Sequence, residues 1–319
     1  MNSNKKLISV VIPLFNEGDG VRALRERLTN VLIGLDYEYE IVVVDDGSSD
    51  GTFSKLVEWQ KTESKLVIVK LSRNWGHQPA FNAGLDVCHG DAVIFMDGDL
   101  EDPPELIPEL IDEWQNGNDV VYTVKDSRSQ TMIKRGLTSL YYLLVNFTND
   151  AGVEAQAGMY SLVDRNVADV LRKMRESNKS YPNLRSLVGF QQKKINYARD
   201  TRFTGKAKQT ISRLLSDGLN ALFANTYLPI RVFSIFGIFC SVIFLFIGMA
   251  VLAVRITGVE FWIFRDIPGT QLILLAVLIF GSFQLIFLGV LGEYIARIYE
   301  ESKGRPYYVI EKIKRHNQS

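Results

Sequence analysis

The chain has 319 residues, 36 basic and 36 acidic side chains and 47% hydrophobic residues. Balanced charge supplies no global field for nucleic acid, and no basic-aromatic module is visible. Its two cysteines, Cys88 and Cys240, lie far apart, the second inside an apolar run, which excludes a disulfide framework and a thiolate metal site.

Leu7 to Leu14 reads as a first buried strand. Asp19 to Leu32 has helical spacing in Val21, Leu24, Leu28 and Val31. Glu40 to Val44 is a second strand, and Asp50 is placed to cap a helix over Thr52 to Glu63. Leu66 to Leu71 is a third strand, and Pro79 to Val87 a short helix with Pro79 in its first turn. Ala92 to Met96 is a fourth strand, a helix covers Glu105 to Asn116, and Asp119 to Thr123 is a fifth strand. This alternation predicts an α/β fold with a mostly parallel sheet covered on both faces. Ligands of such sheets sit beyond the carboxyl ends of the strands. The polar clusters fall at those ends: Asn16-Glu17, Asp45-Asp46-Gly47-Ser48, Arg73-Asn74 and Asp97-Gly98-Asp99.

Beyond Thr123 the pattern changes. Met132 to Phe147 is amphipathic, Asp164 to Met174 is a helix capped by Asp164, and Gln191 to Tyr197 alternates like a strand. Lys206 to Phe223 is amphipathic with a basic start, which suits the membrane interface; a core-packed helix is the alternative. Val232 to Val254 and Ile267 to Gly292 carry no charge, and each reaches the roughly 20 apolar residues that span a bilayer. Lys and Arg cluster before the first span and after the second, so both ends are expected in the cytoplasm, around a hairpin in the inner (plasma) membrane. The expected organisation is a catalytic domain over 1–200 and a juxtamembrane segment over 201–230. Spans at about 232–254 and 271–293 within 231–296 follow, then a cytosolic tail over 297–319. The polar N-terminus precedes an apolar run too short for a signal sequence. Glycines 237, 248, 281, 289 and 292 permit close helix packing or self-association, and a homo-oligomer is expected.

Asp97 and Asp99 carry the chemistry. At a strand end, Gly98 is expected to turn the backbone so that both carboxylates face one point. Two hard oxygen ligands suit Mg²⁺ or Mn²⁺, which keeps its other positions for water and substrate phosphates. An acidic solvated turn is the competing account of a bare Asp-x-Asp. The buried strand before it, Pro103-Pro104 after it and the upstream motifs weigh against that account. Asp45 and Asp46 at the second strand end can accept hydrogen bonds from a base or ribose. Pro13, Phe15, Asn16 and Glu17 can flank a base, although Asp-Gly-Ser and Asn-Glu-Gly are also good turn formers. Neither a Gly-x-Gly-x-x-Gly nor a Walker motif is present.

Val-x-Pro-x-Phe-Asn-Glu, Val-Asp-Asp-Gly-Ser-x-Asp, Leu-x-Arg-Asn-x-Gly and Asp-x-Asp, in this order, resemble glycosyltransferase family 2 with the GT-A fold. Arg202-Phe203-x-Gly205-x-x-Lys208, Leu228-Pro229-Ile230-Arg231 and Leu291-Gly292-Glu293-Tyr294 resemble the bacterial polyprenyl-phosphate glycosyltransferases, relatives of dolichyl-phosphate mannose synthase. The resemblance implies inverting transfer from a nucleotide sugar, with a UDP-sugar favoured, to polyprenyl phosphate for envelope glycans. It implies that Asp97 and Asp99 hold metal on the nucleotide diphosphate, that Glu101 adds a ligand, and that Pro13, Phe15, Glu17 and Asp45 hold the nucleotide. Within Ala157 to Leu162, Met159 and Ser161 replace the family's acid and arginine, which leaves a catalytic base there in doubt. Arg202, Lys206 and Lys208 are the candidate clamp for the lipid phosphate, with Arg128, Lys134 and Arg135 behind them; attraction to anionic head groups is the alternative. His77 and Gln78 either line the sugar site or cap a helix. A processive synthase of the same family is disfavoured by the lack of Gln-x-x-Arg-Trp, and a non-catalytic scaffold by intact Asp45, Asp97 and Asp99.

Overall fold

The computed structural model describes residues 5–125, 157–174, 181–197, 228–257 and 269–316. The amphipathic stretches at 132–147 and 206–223 lie outside them, as do Arg128, Lys134, Arg135, Arg202, Lys206 and Lys208.

The strands are β1 (Leu7–Leu14), β2 (Glu38–Asp45), β3 (Leu66–Leu71), β4 (Ala92–Phe95), β5 (Val120–Lys125), β6 (Ala157–Asp164), β7 (Gln192–Tyr197) and β8 (Ile310–Lys314). They form one sheet in the order β7-β5-β6-β4-β1-β2-β3-β8. β2 and β4 flank β1 in parallel, and β3 continues beside β2. β6 runs antiparallel between β4 and β5, β7 lies parallel to β5, and β8 is antiparallel to β3.

The helices are α1 (Val21–Ile33), α2 (Thr52–Gln60), α3 (His77–Val87), α4 (Ile107–Gln115), α5 (Arg165–Lys173), α6 (Tyr181–Leu187), α7 (Leu228–Thr257) and α8 (Gly269–Ser302). Successive strand residues point to opposite faces, so β1 and β2 feed two cores. Ile8, Val10, Ile12, Ile41 and Val43 pack with Leu24 and Leu28 of α1, Trp59 of α2 and Leu110 of α4. Val11, Val42 and Val44 pack with Phe81 and Leu85 of α3, Leu171 of α5 and Leu184 of α6.

Helix boundaries follow local chemistry. The N-cap of α2 is Gly51 rather than the expected Asp50, which lies one residue earlier and accepts the Thr52 amide on its Oδ1 at 3.0 Å. α2 stops before the expected Glu63, where the Thr62 hydroxyl donates to Trp59 O at 2.9 Å. Asp164 caps α5 by accepting from the Asn166 amide at 2.9 Å. A 3₁₀ turn at Pro104–Leu106 precedes α4, consistent with two prolines, Pro104 and Pro108, that lack donors.

The described residues divide into two compact units, the sheet with its helices and the α7–α8 hairpin. The stretch after Gly304 returns to the sheet unit. There β8 pairs Ile313 with Val69, Ser72 N donates to Val309 O at 3.0 Å, and Lys70 meets Glu311 at 2.8 Å. In the hairpin, Val232–Met249 has mean hydropathy 2.6 and Ala276–Ser302 1.9; both are long and apolar enough to cross a membrane. Aromatic pairs join the two helices, Phe236 with Phe283 at 5.1 Å and Phe244 with Phe280 at 4.3 Å. The span glycines do not make that contact: a side chain at Gly237, Gly248, Gly281, Gly289 or Gly292 would meet nothing within 4 Å.

Candidate active site

Register aligns the strand ends that carry polar residues. Leu14 lies opposite Asp45, and Val11 opposite both Val42 and Phe95. The loops after β1 and β2 are laced together. Asn16 N–H donates to Ser48 Oγ at 3.0 Å, and Ser49 N–H to Asn16 Oδ1 at 2.9 Å. Asn16 adopts φ +53°, the left-handed conformation that asparagine tolerates better than other non-glycine residues. Glu17 N–H donates to Thr52 Oγ1 at 3.1 Å, and Gly18 N–H to Asp50 Oδ2 at 3.0 Å.

Asp45 and Asp46 are adjacent in sequence but act differently. Asp46 Oδ1 accepts Trp75 N–H at 2.7 Å and Oδ2 accepts Gly76 N–H at 2.9 Å, so Asp46 anchors the loop after β3. Gly47 makes room for that loop: at φ +70°, a Cβ there would stand 2.4 Å from the Arg73 carbonyl carbon. Asp45 is fully buried. Its Oδ1 accepts Ser48 N–H at 3.2 Å, while its Oδ2 is buried and has no hydrogen-bond partner among the described residues. Burial pushes the Asp45 carboxyl above its usual range, against the hydrogen bonds from Ser48 and the charge of Lys70. A buried acceptor left open is costly and suits a donor that a ligand brings. Phe15, just past the end of β1, is 43% exposed, Pro13 is buried in β1, and Glu17 is half-buried.

β4 delivers Asp97 and Asp99, both partly exposed. The backbone turns at Gly98 and Asp99, and the glycine is needed there for space: a Cβ would lie 2.1 Å from Leu14 Cδ2. The left-handed residue of this loop is Leu100, φ +60°, which is buried between Asp99 and Glu101. Asp99 Oδ1 accepts Glu101 N–H at 3.1 Å. Glu101 itself is buried, and among the described residues no group of three or more His, Cys, Asp or Glu converges as a metal site. Asp97 and Asp99 thus offer two hard oxygen donors of the kind that holds Mg²⁺ or Mn²⁺ together with water and phosphate oxygens.

The loop beyond is fixed from the other half of the sheet. The Tyr197 hydroxyl donates to buried Asp102, and the Tyr160 hydroxyl donates to Pro103 O at 2.9 Å. Burial raises both phenols, so each stays a protonated donor at neutral pH. Arg27 of α1 grips Glu105 with two bonds, at 2.9 and 2.6 Å.

Spacing in sequence did not reveal one contact. His77, the first residue of α3, places Nε2 2.8 Å from Asp97 Oδ1. Burial opposes protonation of His77, but the hydrogen bond and charge of Asp97, with the charges of Asp99 and Asp102, outweigh it and raise its pKa. Gln78 Nε2 donates to Met159 Sδ at 3.3 Å, and Tyr181 N–H donates to Gln78 Oε1 at 3.2 Å. The Ser161 hydroxyl donates to Met159 O at 2.9 Å.

A mostly parallel sheet with a buried carboxylate at the end of β2 and an Asp-x-Asp pair after β4, two strands away, is an α/β domain of the GT-A type. The profile of glycosyl transferase family 2 matches residues 9–172. The chain belongs to that family and is a glycosyltransferase. It is 35% identical over 312 residues to the SfII prophage-derived bactoprenol glucosyl transferase of Shigella flexneri, covering 97% of this chain and 99% of that one. It is 36% identical over 308 residues to an uncharacterised glycosyltransferase of Synechocystis sp., covering 96% and 95%. Glucosyl-3-phosphoglycerate synthase from Mycobacterium tuberculosis, solved with Mn²⁺, UDP and glucosyl-3-phosphoglycerate, shares the fold. It has TM-score 0.50 and 18% identity, over 68% of this chain and 78% of that one.

Proposed function

We propose that the protein transfers a sugar from a nucleotide sugar, a UDP-sugar first among them, to a polyprenyl phosphate at the cytosolic membrane face, for envelope glycans. The observation that carries this reading is the open Asp45 Oδ2, buried two strands from Asp97 and Asp99. It fits an N–H of a base, with the diphosphate over the Asp-x-Asp loop. The relatives named bactoprenol glucosyl transferase support the polyprenyl acceptor.

Bond making and breaking are direct. An oxygen of the acceptor phosphate attacks the anomeric carbon from the face opposite the diphosphate. The bond from that carbon to the diphosphate oxygen breaks, its electron pair leaves on the nucleoside diphosphate, and configuration inverts. A phosphate monoester has its second pKa near about 6, so at neutral pH the attacking oxygen is largely deprotonated and needs no base. Met159 and Ser161, standing where the family carries an acid and an arginine, agree with that. Asp97 and Asp99 would hold Mg²⁺ or Mn²⁺, whose charge offsets that of the leaving diphosphate. The remaining task is alignment, and His77, Asp46 and the tyrosines that fix the loop serve it.

The membrane setting has its own support. α7 and α8 separate β7 from β8, yet both strands belong to one sheet, which supports the reading that the two ends of the hairpin share a compartment. The Lys and Arg distribution supports the cytosol as that compartment. Arg202, Lys206 and Lys208 are the proposed cations for the acceptor at the membrane surface, and the span glycines, where a Cβ would meet nothing within 4 Å among the described residues, are a proposed homo-oligomer surface.

Calorimetric titration with UDP tests the donor side. Asp45→Asn should weaken UDP by roughly 1–3 kcal/mol while Asp45→Asn remains folded. Unchanged UDP affinity in a folded Asp45→Asn protein would remove Asp45 from the nucleotide site.

A further inference from the structure

We propose that Arg185 binds the phosphate of the acceptor. This rests on the donor and acceptor reading above, and it adds a residue apart from the cationic cluster at 202–208.

Arg185 lies on α6 and is only 3% exposed. Its guanidinium donates through Nη1 to Gly158 O at 3.3 Å and lies 4.8 Å over the Tyr122 ring. Among the described residues no carboxylate pairs with it. A guanidinium carries five N–H donors, and a buried one is normally matched by an anion. The Tyr122 ring offsets part of the cost of burial but offers no acceptor for the remaining donors. Burial alone draws the Arg185 pKa down to about 10, which still leaves it charged at neutral pH. A buried, charged and uncompensated fork is matched in shape and sign to two oxygens of a phosphate.

Its place in the sheet selects which phosphate. Tyr122 and Phe95 are both registered with Ser161, so Tyr122, Ser161 and Phe95 form one row across β5, β6 and β4. Asp97 follows Phe95 by two residues. Gly158, which holds Arg185, adjoins Met159, and Met159 contacts Gln78 beside the His77 that meets Asp97. Asp45 is on the opposite side of β4, beyond β1. A donor with its base at Asp45 and its diphosphate at Asp97 therefore leaves the β6 and β5 ends to the attacking group. That group is a phosphate monoester, and in a site this dry its bonds to a guanidinium are strong.

The test uses the full chain in vesicles with undecaprenyl phosphate and UDP-glucose, comparing wild type with Arg185→Met and Arg185→Lys. The expected result is a rise of about tenfold or more in the acceptor KM of Arg185→Met, with UDP affinity within about twofold of wild type. Arg185→Lys should fall between the two, because it keeps the charge and loses the fork. Inorganic phosphate should compete with the lipid in wild type and lose that effect in Arg185→Met. Unchanged acceptor KM in both variants overturns the proposal, and so does a collapse of UDP affinity with normal acceptor dependence. If Arg185→Met does not fold, Arg185→Lys decides by the same two readings. If wild type transfers to no lipid phosphate, the function itself fails. Arg185 is then judged by thermal unfolding: inorganic phosphate should raise the wild-type midpoint and leave that of Arg185→Lys less affected, and an equal effect on both overturns it.

Discussion

His77 Nε2 lies 2.8 Å from Asp97 Oδ1, which ties the first turn of α3 to the carboxylate pair at the end of β4. The ring is held edge-on to Phe81 at 4.8 Å, and Phe81 in turn packs on Phe95 of β4. One side chain thus fixes the orientation of Asp97 from a helix that would otherwise touch it only through the core.

Removing His77 should leave the core intact and free Asp97 to rotate. Partners that orient metal-binding carboxylates typically contribute 10–100-fold, so His77→Ala should lower transfer by roughly that range. Circular dichroism should be unchanged. Initial rates over a Mn²⁺ titration check this, and a His77→Ala enzyme with the wild-type rate at every concentration would show that the contact is incidental.

The Arg27–Glu105 pair fastens α1 to the turn after the Asp-x-Asp loop. The hydrogen bond from Arg27 holds the Glu105 carboxyl below its ordinary value of 4.5. A carboxyl depressed on folding stabilises above the unfolded pKa, and the gain is lost as pH falls through the lower folded value. Glu105 is about half exposed, so the contribution is at most about 1 kcal/mol. Thermal midpoints of wild type and Arg27→Met should therefore differ slightly at pH 7 and converge at pH 3. A gap that widens in acid has the wrong sign for this pair.

β8 covers the edge that β3 would otherwise expose, and an open strand edge invites association. It is also held at Tyr308, whose hydroxyl donates to Asp86 of α3, and at Lys314, whose carbonyl accepts from Gln60 at 3.0 Å. Truncation after Lys303 should lower transfer by roughly tenfold or more and broaden the size-exclusion profile in detergent. A monodisperse truncated protein with wild-type transfer would show that the strand is dispensable.

The first half of the fold was legible because β1 to β4 are buried on both faces and read as continuous apolar runs between turn residues. The Asp-x-Asp pair was legible for the same reason, since a buried strand before it and two prolines after it leave little besides a loop at the strand end. β8 was not: Ile310–Lys314 is a charged edge strand with no buried residue, and its pairing partner is β3, Leu66–Leu71, far earlier in the sequence. β6 escaped because Ala157-Gly158-Met159 and Ser161 break the apolar run. The division between Asp45 and Asp46 was hidden as well. At a strand end, neighbours face opposite ways, and only the folded loop shows Asp46 turned to the backbone of Trp75 and Gly76. The His77–Asp97 contact joins separate elements, and nothing in either motif announces it.

The proposed reaction moves a sugar to a polyprenyl phosphate through the site at Asp45, Asp97 and Asp99. Membranes carrying wild type or Asp99→Asn, given a panel of radiolabelled nucleotide sugars and then extracted with organic solvent, test it most directly. Label is expected in a polyprenyl-phosphate sugar for one donor, a UDP-sugar, dependent on divalent metal and reduced by orders of magnitude in Asp99→Asn. Label that stays in water-soluble sugar or polymer with every donor, or lipid labelling that survives in Asp99→Asn, would contradict it.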